Sequence, residues 1–106
     1  MRAPQEIKKI IEGTGLPVAY LEWKEGQAPA LPYVLYYAGQ ANNFAADGVV
    51  FFTAQGYTIE LYTEDKDPAT EARLEAALNE ARIYWTKDEA YIQDERMNEI
   101  IYEIEV

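Results

Sequence analysis

The side chains able to do chemistry in this 106-residue chain are carboxylates, lysines, threonines and tyrosines, because histidine, cysteine and serine are absent. The chain therefore lacks imidazole bases, thiolate nucleophiles, the commonest transition-metal ligands and the serine of hydrolase triads. Two of its 19 acidic residues could meet across a cleft as in glycosidases, but a chance pair among so many acids carries no specificity. We predict no enzyme, no catalytic residue and no cofactor.

Two short motifs resemble ligand-binding loops but fail on spacing. Glu64–Asp67 is rich in oxygen ligands, yet an EF-hand loop counted from Asp65 would need glycine at Thr70 and glutamate at Ala76. We interpret it as an acidic turn that ends in a helix N-cap. Gly13-Thr14-Gly15 follows a predicted helix, whereas a dinucleotide-binding glycine loop follows a strand, so it is interpreted as a helix stop.

The charge of the chain limits its partners. The formal net charge of −10 and pI near 4.3 repel a phosphate backbone, so sequence-specific nucleic-acid binding is not expected. Residues 60–106 hold 14 acidic and 5 basic residues, and residues 1–59 hold 5 and 4, so one half carries nearly all the charge. This pattern is typical of a solvated acidic face, or of an acidic surface that meets a partner or a channel.

The length and composition predict one domain, spanning residues 1–106. Hydrophobic residues make up 49% of the chain, enough for a core, and the absence of cysteine fits a reducing compartment without disulfides. Residues 1–6 lead straight into a polar–apolar periodic segment, without the apolar stretch of a signal peptide or membrane span. We expect no membrane partner.

Hydrophobic periodicity predicts the element order α-β-β-β-α-β-β, an α+β domain with two helices on one face of a small, mainly antiparallel sheet. The helices are predicted over Pro4–Glu12, with Gly13 as a left-handed cap, and over Pro68–Arg82, with Asp67 as N-cap. The strands are predicted over Val18–Trp23, Pro32–Tyr37, Val49–Tyr62, Ile83–Ile92 (interrupted at Lys87–Glu89) and Met97–Val106.

Two segments of this arrangement are candidate functional elements. Gln40–Gly48 has turn residues without a period and is predicted as a long, mobile hairpin arm. Its candidate contact residues are Asn42, Asn43, Phe44 and Asp47, with Phe44 as the apolar anchor or as an aromatic folded back on its own sheet.

The last strand alternates core residues with acids. Ile100, Tyr102, Ile104 and Val106 fall on one face, and Tyr57, Ile59 and Leu61 share one face of an earlier strand. Glu99, Glu103 and Glu105 fall on the opposite face, where they form a row. The nine tyrosines and two tryptophans suit either strand packing or a protein interface.

Several segments together resemble small proteins of siphophage and prophage structural modules, the tail-completion group of tail terminators and tail-to-head joining proteins. The resemblance covers residue 7 to the end and is carried by Gly15–Tyr20 (GLPVAY), Glu25–Gln27 (EGQ), Leu31–Val34 (LPYV), Asn42–Gly48 (NNFAADG), Ile59–Thr63 (IELYT) and Lys66–Asp67. It implies a small sheet flanked by two helices and carries no catalytic residues.

The resemblance implies a non-enzymatic virion protein that forms a ring, with six copies expected, at the head-proximal end of a long non-contractile tail. Its partners would be further copies of itself, the tail tube protein and the head connector, and its locations the virion and the bacterial cytoplasm during assembly. In such a ring Glu99, Glu103 and Glu105 would line an acidic channel. Two alternatives are a small host adaptor that binds through an exposed sheet edge, and an acidic inhibitor that mimics nucleic acid.

Overall fold

The computed structural model describes residues 3–39, 42–46, 49–54 and 56–105, and between 42 and 54 it describes the backbone only. Its elements in chain order are α1 (Pro4–Glu12), β1 (Val18–Tyr20), β2 (Tyr33–Ala38), β3 (Asn42–Ala46), β4 (Val49–Ala54), β5 (Gly56–Thr63), α2 (Pro68–Glu80), β6 (Trp85–Ile92), a 3₁₀ turn (Gln93–Glu95) and β7 (Met97–Glu105).

Five strands form the main sheet in the order β1-β2-β5-β7-β6, with β1 parallel to β2 and every other pair antiparallel. The long strands β5 and β7 are central, and their pairing runs from Gly56 opposite Glu105 to Thr63 opposite Asn98. The predicted α+β class, with a mainly antiparallel sheet, is confirmed.

Both helices pack on one face of this sheet. Alternate residues of each central strand point toward them, and neither of the two described helices lies on the face turned away. The buried residues that join the two layers are Ile7, Ile11, Leu16, Val34, Tyr36, Tyr57, Ile59, Leu61, Leu74, Leu78, Ile83, Ile100, Tyr102 and Ile104. Each fully buried isoleucine or leucine contributes roughly 1.5–3 kcal/mol through apolar burial, so this layer supplies most of the stability.

The first helix has its predicted bounds, Pro4–Glu12, but the prediction for its end was wrong. Gly13 keeps a right-handed conformation with φ of −61°, and the left-handed residue is Gly15, with φ of 84°. Thr14 closes this turn, since its hydroxyl donates a 2.6 Å hydrogen bond to the Ile11 carbonyl and accepts one of 3.2 Å from the Leu16 amide. The chain therefore reverses two residues later than the sequence suggests.

The second helix begins as predicted. Asp67 caps it by accepting a 3.1 Å hydrogen bond from the Thr70 amide and one of 2.6 Å from the Thr70 hydroxyl, and Pro68 occupies the first turn. The helix ends at Glu80, two residues before the predicted Arg82, because Arg82 adopts a left-handed φ of 59°.

The segment predicted as a mobile hairpin arm, Gln40–Gly48, contains a strand. β3 pairs antiparallel with β4 in a separate two-stranded sheet, with Phe44 opposite Phe52. The predicted single strand Val49–Tyr62 is accordingly two strands, β4 and β5. Gln40, Ala41, Asp47, Gly48 and Gln55 lie outside the described residues, so the mobility predicted for this arm is not addressed.

The first strand is shorter than predicted. It stops at Tyr20, because Leu21 has a left-handed φ of 69° that extended backbone does not allow. Trp23, which was predicted to end this strand, instead packs edge-on against Tyr33, with ring centroids 5.7 Å apart.

The C-terminal hairpin confirms the predicted register. Ile100, Tyr102 and Ile104 are buried, whereas Glu103 and Glu105 are exposed on the opposite face. Val106 lies outside the described residues. The predicted interruption at Lys87–Glu89 is absent, because β6 is continuous from Trp85 to Ile92.

Candidate functional site

The sheet face turned away from the helices brings acids and tyrosines together. We call it the outer face and define it by the outward positions of the three inner strands, β2, β5 and β7. Register places these positions in three rows across the strands: Tyr33, Tyr62 and Glu99; Leu35, Glu60 and Ile101; Tyr37, Thr58 and Glu103. Most of these side chains are half-buried, although no helix lies above them.

Two carboxylates meet at the centre of the outer face. The Tyr62 hydroxyl lies 3.2 Å from Glu60 Oε1 and 3.0 Å from Glu99 Oε2, so it can donate to one of them at a time. Burial, a hydrogen bond with Glu99 and the charge of Glu99 raise the pKa of Glu60 to about 7. Because two neighbouring carboxylates share a proton more easily than they carry two charges, Glu60 is protonated in part of the molecules near neutral pH.

The predicted acidic row, Glu99, Glu103 and Glu105, lies on one face of the sheet, but its members differ in exposure. Glu103 and Glu105 are exposed, and Glu103 accepts a 3.1 Å hydrogen bond from the Thr58 hydroxyl. Glu99 is half-buried beside Glu60, a partner that the sequence analysis did not identify. The signal was available, since Glu60 lies between the core residues Ile59 and Leu61, but only the strand register brings it to Glu99.

The candidate arm residues are located in part. Asn42, Asn43 and Phe44 belong to β3, whereas Asp47 is outside the described residues, as are the side chains of all four. Their contact role stays a prediction.

A second charged cluster lies between α2 and β6, on the helix side of the sheet. The carboxylate of Glu71, with 3% of its side chain exposed, lies between Lys66 and Lys87. Lys87 Nζ is 2.6 Å from Oε1, and Lys66 Nζ donates a 3.1 Å hydrogen bond to the same oxygen. Oε2 lies 2.9 Å from Lys66 Nζ without hydrogen-bond geometry, so that contact is an ion pair only.

The same cluster extends to the core. Lys87 Nζ lies 2.7 Å from Glu75 Oε2, which also accepts a 2.7 Å hydrogen bond from the Tyr102 hydroxyl, and Lys66 also pairs with Glu89. Burial alone would raise the pKa of Glu71, but the two lysines outweigh it and hold that pKa below its usual range. We call these residues the α2–β6 ion-pair network and interpret it as structural, because every charge in it has an opposite partner within the protein.

The tyrosines occupy both kinds of position expected from the sequence, the packed core and the surface. Tyr36, Tyr57 and Tyr102 are buried in the core, whereas Tyr84 is 80% exposed and Tyr91 56%. Tyr33, Tyr37 and Tyr62 are half-buried on the outer face. Strand packing therefore accounts for the first group, and the outer face and the exposed pair remain available for contacts.

A cleft of about 330 Å³ lies at the end of the sheet where the β3–β4 hairpin begins. Gly39, Gly56, Ile104 and Glu105 form part of its wall, and the exposed Tyr84 stands at its rim. Its acidic lining residues are Glu103 and Glu105. No lysine or arginine of the described residues lines it.

Within residues 3–39, 42–46, 49–54 and 56–105, no group of three or more acidic side chains is arranged to hold a metal ion. In the same ranges no helix is long and apolar enough to cross a membrane. No protein-family model matches the chain, and no curated protein is detectably similar to it.

Proposed function

We propose that this chain is a non-enzymatic structural protein that assembles through protein–protein contacts, as a ring at the head-proximal end of a siphophage-type tail. The observation that supports it best is the β3–β4 hairpin, a two-stranded ribbon that belongs to no other sheet of the described chain. The absence of histidine, cysteine and serine favours a binding role over catalysis.

The hairpin is built as an extension of the body. It connects β2 to β5, and from the pair Ala38–Tyr57 to the pair Asn42–Ala54 the chain advances four residues on one side and three on the other. The β3–β4 ladder therefore continues the pairing of the β2–β5 ladder, and the registers of the two ladders differ by one residue. The protein measures 50 × 28 × 23 Å, and this elongation suits a ribbon that reaches beyond the five-stranded body.

A ribbon of this kind gains from a neighbour. Two-stranded hairpins are marginally stable alone in water and need a third strand or an apolar surface. The sequence of β4 begins Val49-Val50-Phe51-Phe52, which is costly to leave in solvent. In a ring, each subunit presents one surface to a different surface of the next, so an arm that docks on the neighbour closes the assembly.

A host adaptor that adds a partner strand to an exposed edge is the second candidate. It is favoured by β6, an eight-residue strand at the edge of the sheet. It is opposed by the charges Lys87, Asp88 and Glu89 in the middle of that strand, because edge charges are a common barrier to strand addition.

Electron microscopy of particles from a phage or prophage lacking this gene tests the proposal. Tubes of uncontrolled length would identify a terminator, and normal tails beside unattached full heads a joining protein. Complementation with Phe44→Asp should reproduce the defect, whereas Gln5→Glu, which adds the same charge at an exposed position of α1, should restore infectivity. Normal, infective particles without the protein would contradict the proposal.

A further inference from the structure

The outer face is unusual for its charge. The outward positions of β5, β6 and β7 carry five carboxylates, and none of the outward positions on the five described strands of the main sheet carries a lysine or arginine. The acids are Glu60, Asp88, Glu99, Glu103 and Glu105. On the helix side, by contrast, Lys66 and Lys87 neutralise the acids of the α2–β6 network. Among the described residues of the main sheet, the outer face therefore carries acidic side chains at its outward positions and no basic ones.

The central pair is arranged to accept one. Glu60 and Glu99 stand on adjacent strands, both half-buried, with the Tyr62 hydroxyl within 3.2 Å of each. Within the part of the chain that the structure describes, neither has a cationic side chain among its hydrogen-bond and ion-pair partners. A guanidinium group presents parallel N–H donors that can serve two carboxylate oxygens at once. The guanidinium would displace the proton that the pair shares. Its full positive charge would then interact with both carboxylates.

The surroundings of the pair suit the rest of such a ligand. Leu35 and Ile101 flank Glu60 in its row, and Tyr37 and Tyr62 lie on either side of that row. All four are half-buried without a covering helix. Tyrosine rings stack on guanidinium groups, and aromatic residues with a polar rim are typical of the centres of protein interfaces.

We propose that the outer face is a docking surface for an arginine-bearing segment of a partner protein, with the guanidinium between Glu60 and Glu99 and apolar neighbours on Leu35 and Ile101. Charge complementarity selects this occupant, because a second copy of the same face would be repelled. The inference does not depend on the proposed ring. It differs from the channel-lining role of Glu99, Glu103 and Glu105, since a wall that repels DNA needs ionised, solvated carboxylates.

Isothermal titration of the full chain with two blocked peptides, Gly-Leu-Arg-Leu-Arg-Gly and its lysine counterpart, tests the proposal at pH 7 and moderate salt. The arginine peptide should bind at least about threefold more tightly, because only its planar fork can bridge the pair. The Glu60→Gln/Glu99→Gln variant should lose about tenfold in affinity. Glu64→Gln/Asp65→Asn removes the same number of carboxyl groups from an exposed loop and should lose less than about twofold.

Proton release gives a readout on the unaltered protein. Titrations in two buffers of different ionisation enthalpy should show release of a fraction of a proton per arginine peptide, because the guanidinium displaces the proton shared by Glu60 and Glu99. The other groups facing Glu60 are Tyr62 on its own strand and Tyr37 on β2, and the charge of Glu103 on β7 acts on Tyr37. The tyrosines stay protonated at pH 7, since burial raises the pKa of each.

Three results would overturn the docking surface. They are equal affinities for the arginine and lysine peptides, equal losses in the two double variants, and binding without proton release. Absence of any binding would also overturn the docking surface. The exposed Glu103 and Glu105 would then remain candidates for lining a channel.

Discussion

The amide of Gly39 donates a 2.7 Å hydrogen bond to the carbonyl oxygen of Gly56, at the point where the β3–β4 hairpin leaves the body. This bond continues the β2–β5 ladder one residue beyond the pair Ala38–Tyr57. Both residues are glycines, so no side chain crowds the junction. A Cβ added at Gly39 would meet the Gly56 carbonyl at 3.5 Å, an ordinary contact distance. The body itself therefore holds the two ends of the hairpin together.

Excision of the hairpin should leave a folded body. Replacing residues 40–55 by Asn-Gly joins two paired positions through the dipeptide that favours tight hairpin turns. The described core cluster joins α1 and α2 to β2, β5 and β7, which all lie outside the excised segment, so thermal unfolding should stay cooperative, with a midpoint within about 5 °C of the full chain. Circular dichroism checks this. Loss of the cooperative transition would show that the hairpin packs on the body.

The register of β7 gives a paired prediction on stability. Ile100→Ala should lower the free energy of unfolding by roughly 2–4 kcal/mol, because Ile100 is fully buried between the sheet and the helices. Glu103→Gln should change it by about 0.5 kcal/mol or less, because Glu103 is exposed and glutamine can still accept from Thr58. Urea denaturation measures both. Similar losses in the two variants would mean that the sheet faces are reversed.

The sequence was informative where a single period dominates. Alternation fixed the buried face of β7, and the Asp67-Pro68 signal fixed the start of α2, because each depends on local backbone geometry alone. The ends of strands and helices were harder to predict from the sequence. Leu21 and Arg82 adopt left-handed conformations that neither residue type favours, so tertiary packing, and not local propensity, ends those elements.

A hairpin arm was predicted here, but its first strand and its tight turn were not, although a signal for them existed. Ala46 pairs with Val49, so two residues separate the strands, and in the sequence these are Asp47-Gly48. Asp-Gly between two extended segments is among the strongest short-range hairpin signals. The polar composition of Gln40–Asn43 obscured it, because it suggested a loop.

The ion-pair network gives a prediction at a site that the sequence analysis did not identify. Glu71 lies on the buried stripe of α2 with Leu74 and Leu78, where a charged residue signals an internal partner. Glu71→Gln should lower the free energy of unfolding by about 1–3 kcal/mol, because it leaves Lys66 and Lys87 without their shared anion. Glu80→Gln, on the exposed side of the same helix, is the matched control and should change it by less than about 0.5 kcal/mol. Equal stability of the two variants would contradict the network.

The Glu60–Glu99 pair predicts an unusual pH dependence. The pKa of Glu60 is raised from 4.5 to about 7 in the folded protein, so between these values the folded state binds more protons than the unfolded state. The contribution is therefore fully present below about pH 4.5 and is lost as the pH rises through 7. Glu60→Gln should remove this loss, so that the variant gains stability relative to the wild type between pH 5 and pH 8. Denaturation midpoints across that range measure it. Parallel curves for the two proteins would show that Glu60 titrates normally.

Self-association should depend on salt. The charge of −10 per copy opposes contact between subunits, and its repulsion is screened as the Debye length falls from roughly 30 Å at 0.01 M to 10 Å at 0.1 M salt. In dilute low-salt solution we expect mostly monomer or weak oligomer. Raising the salt should shift the sedimentation coefficient upward, because docking of the hairpin on a neighbour buries apolar surface and is not weakened by screening. The hairpin-excised chain has nearly the same charge and should remain monomeric at every salt concentration. A stable ring at micromolar concentration in low salt would contradict the repulsion argument, and salt-driven association of the excised chain would show that the hairpin is not the contact.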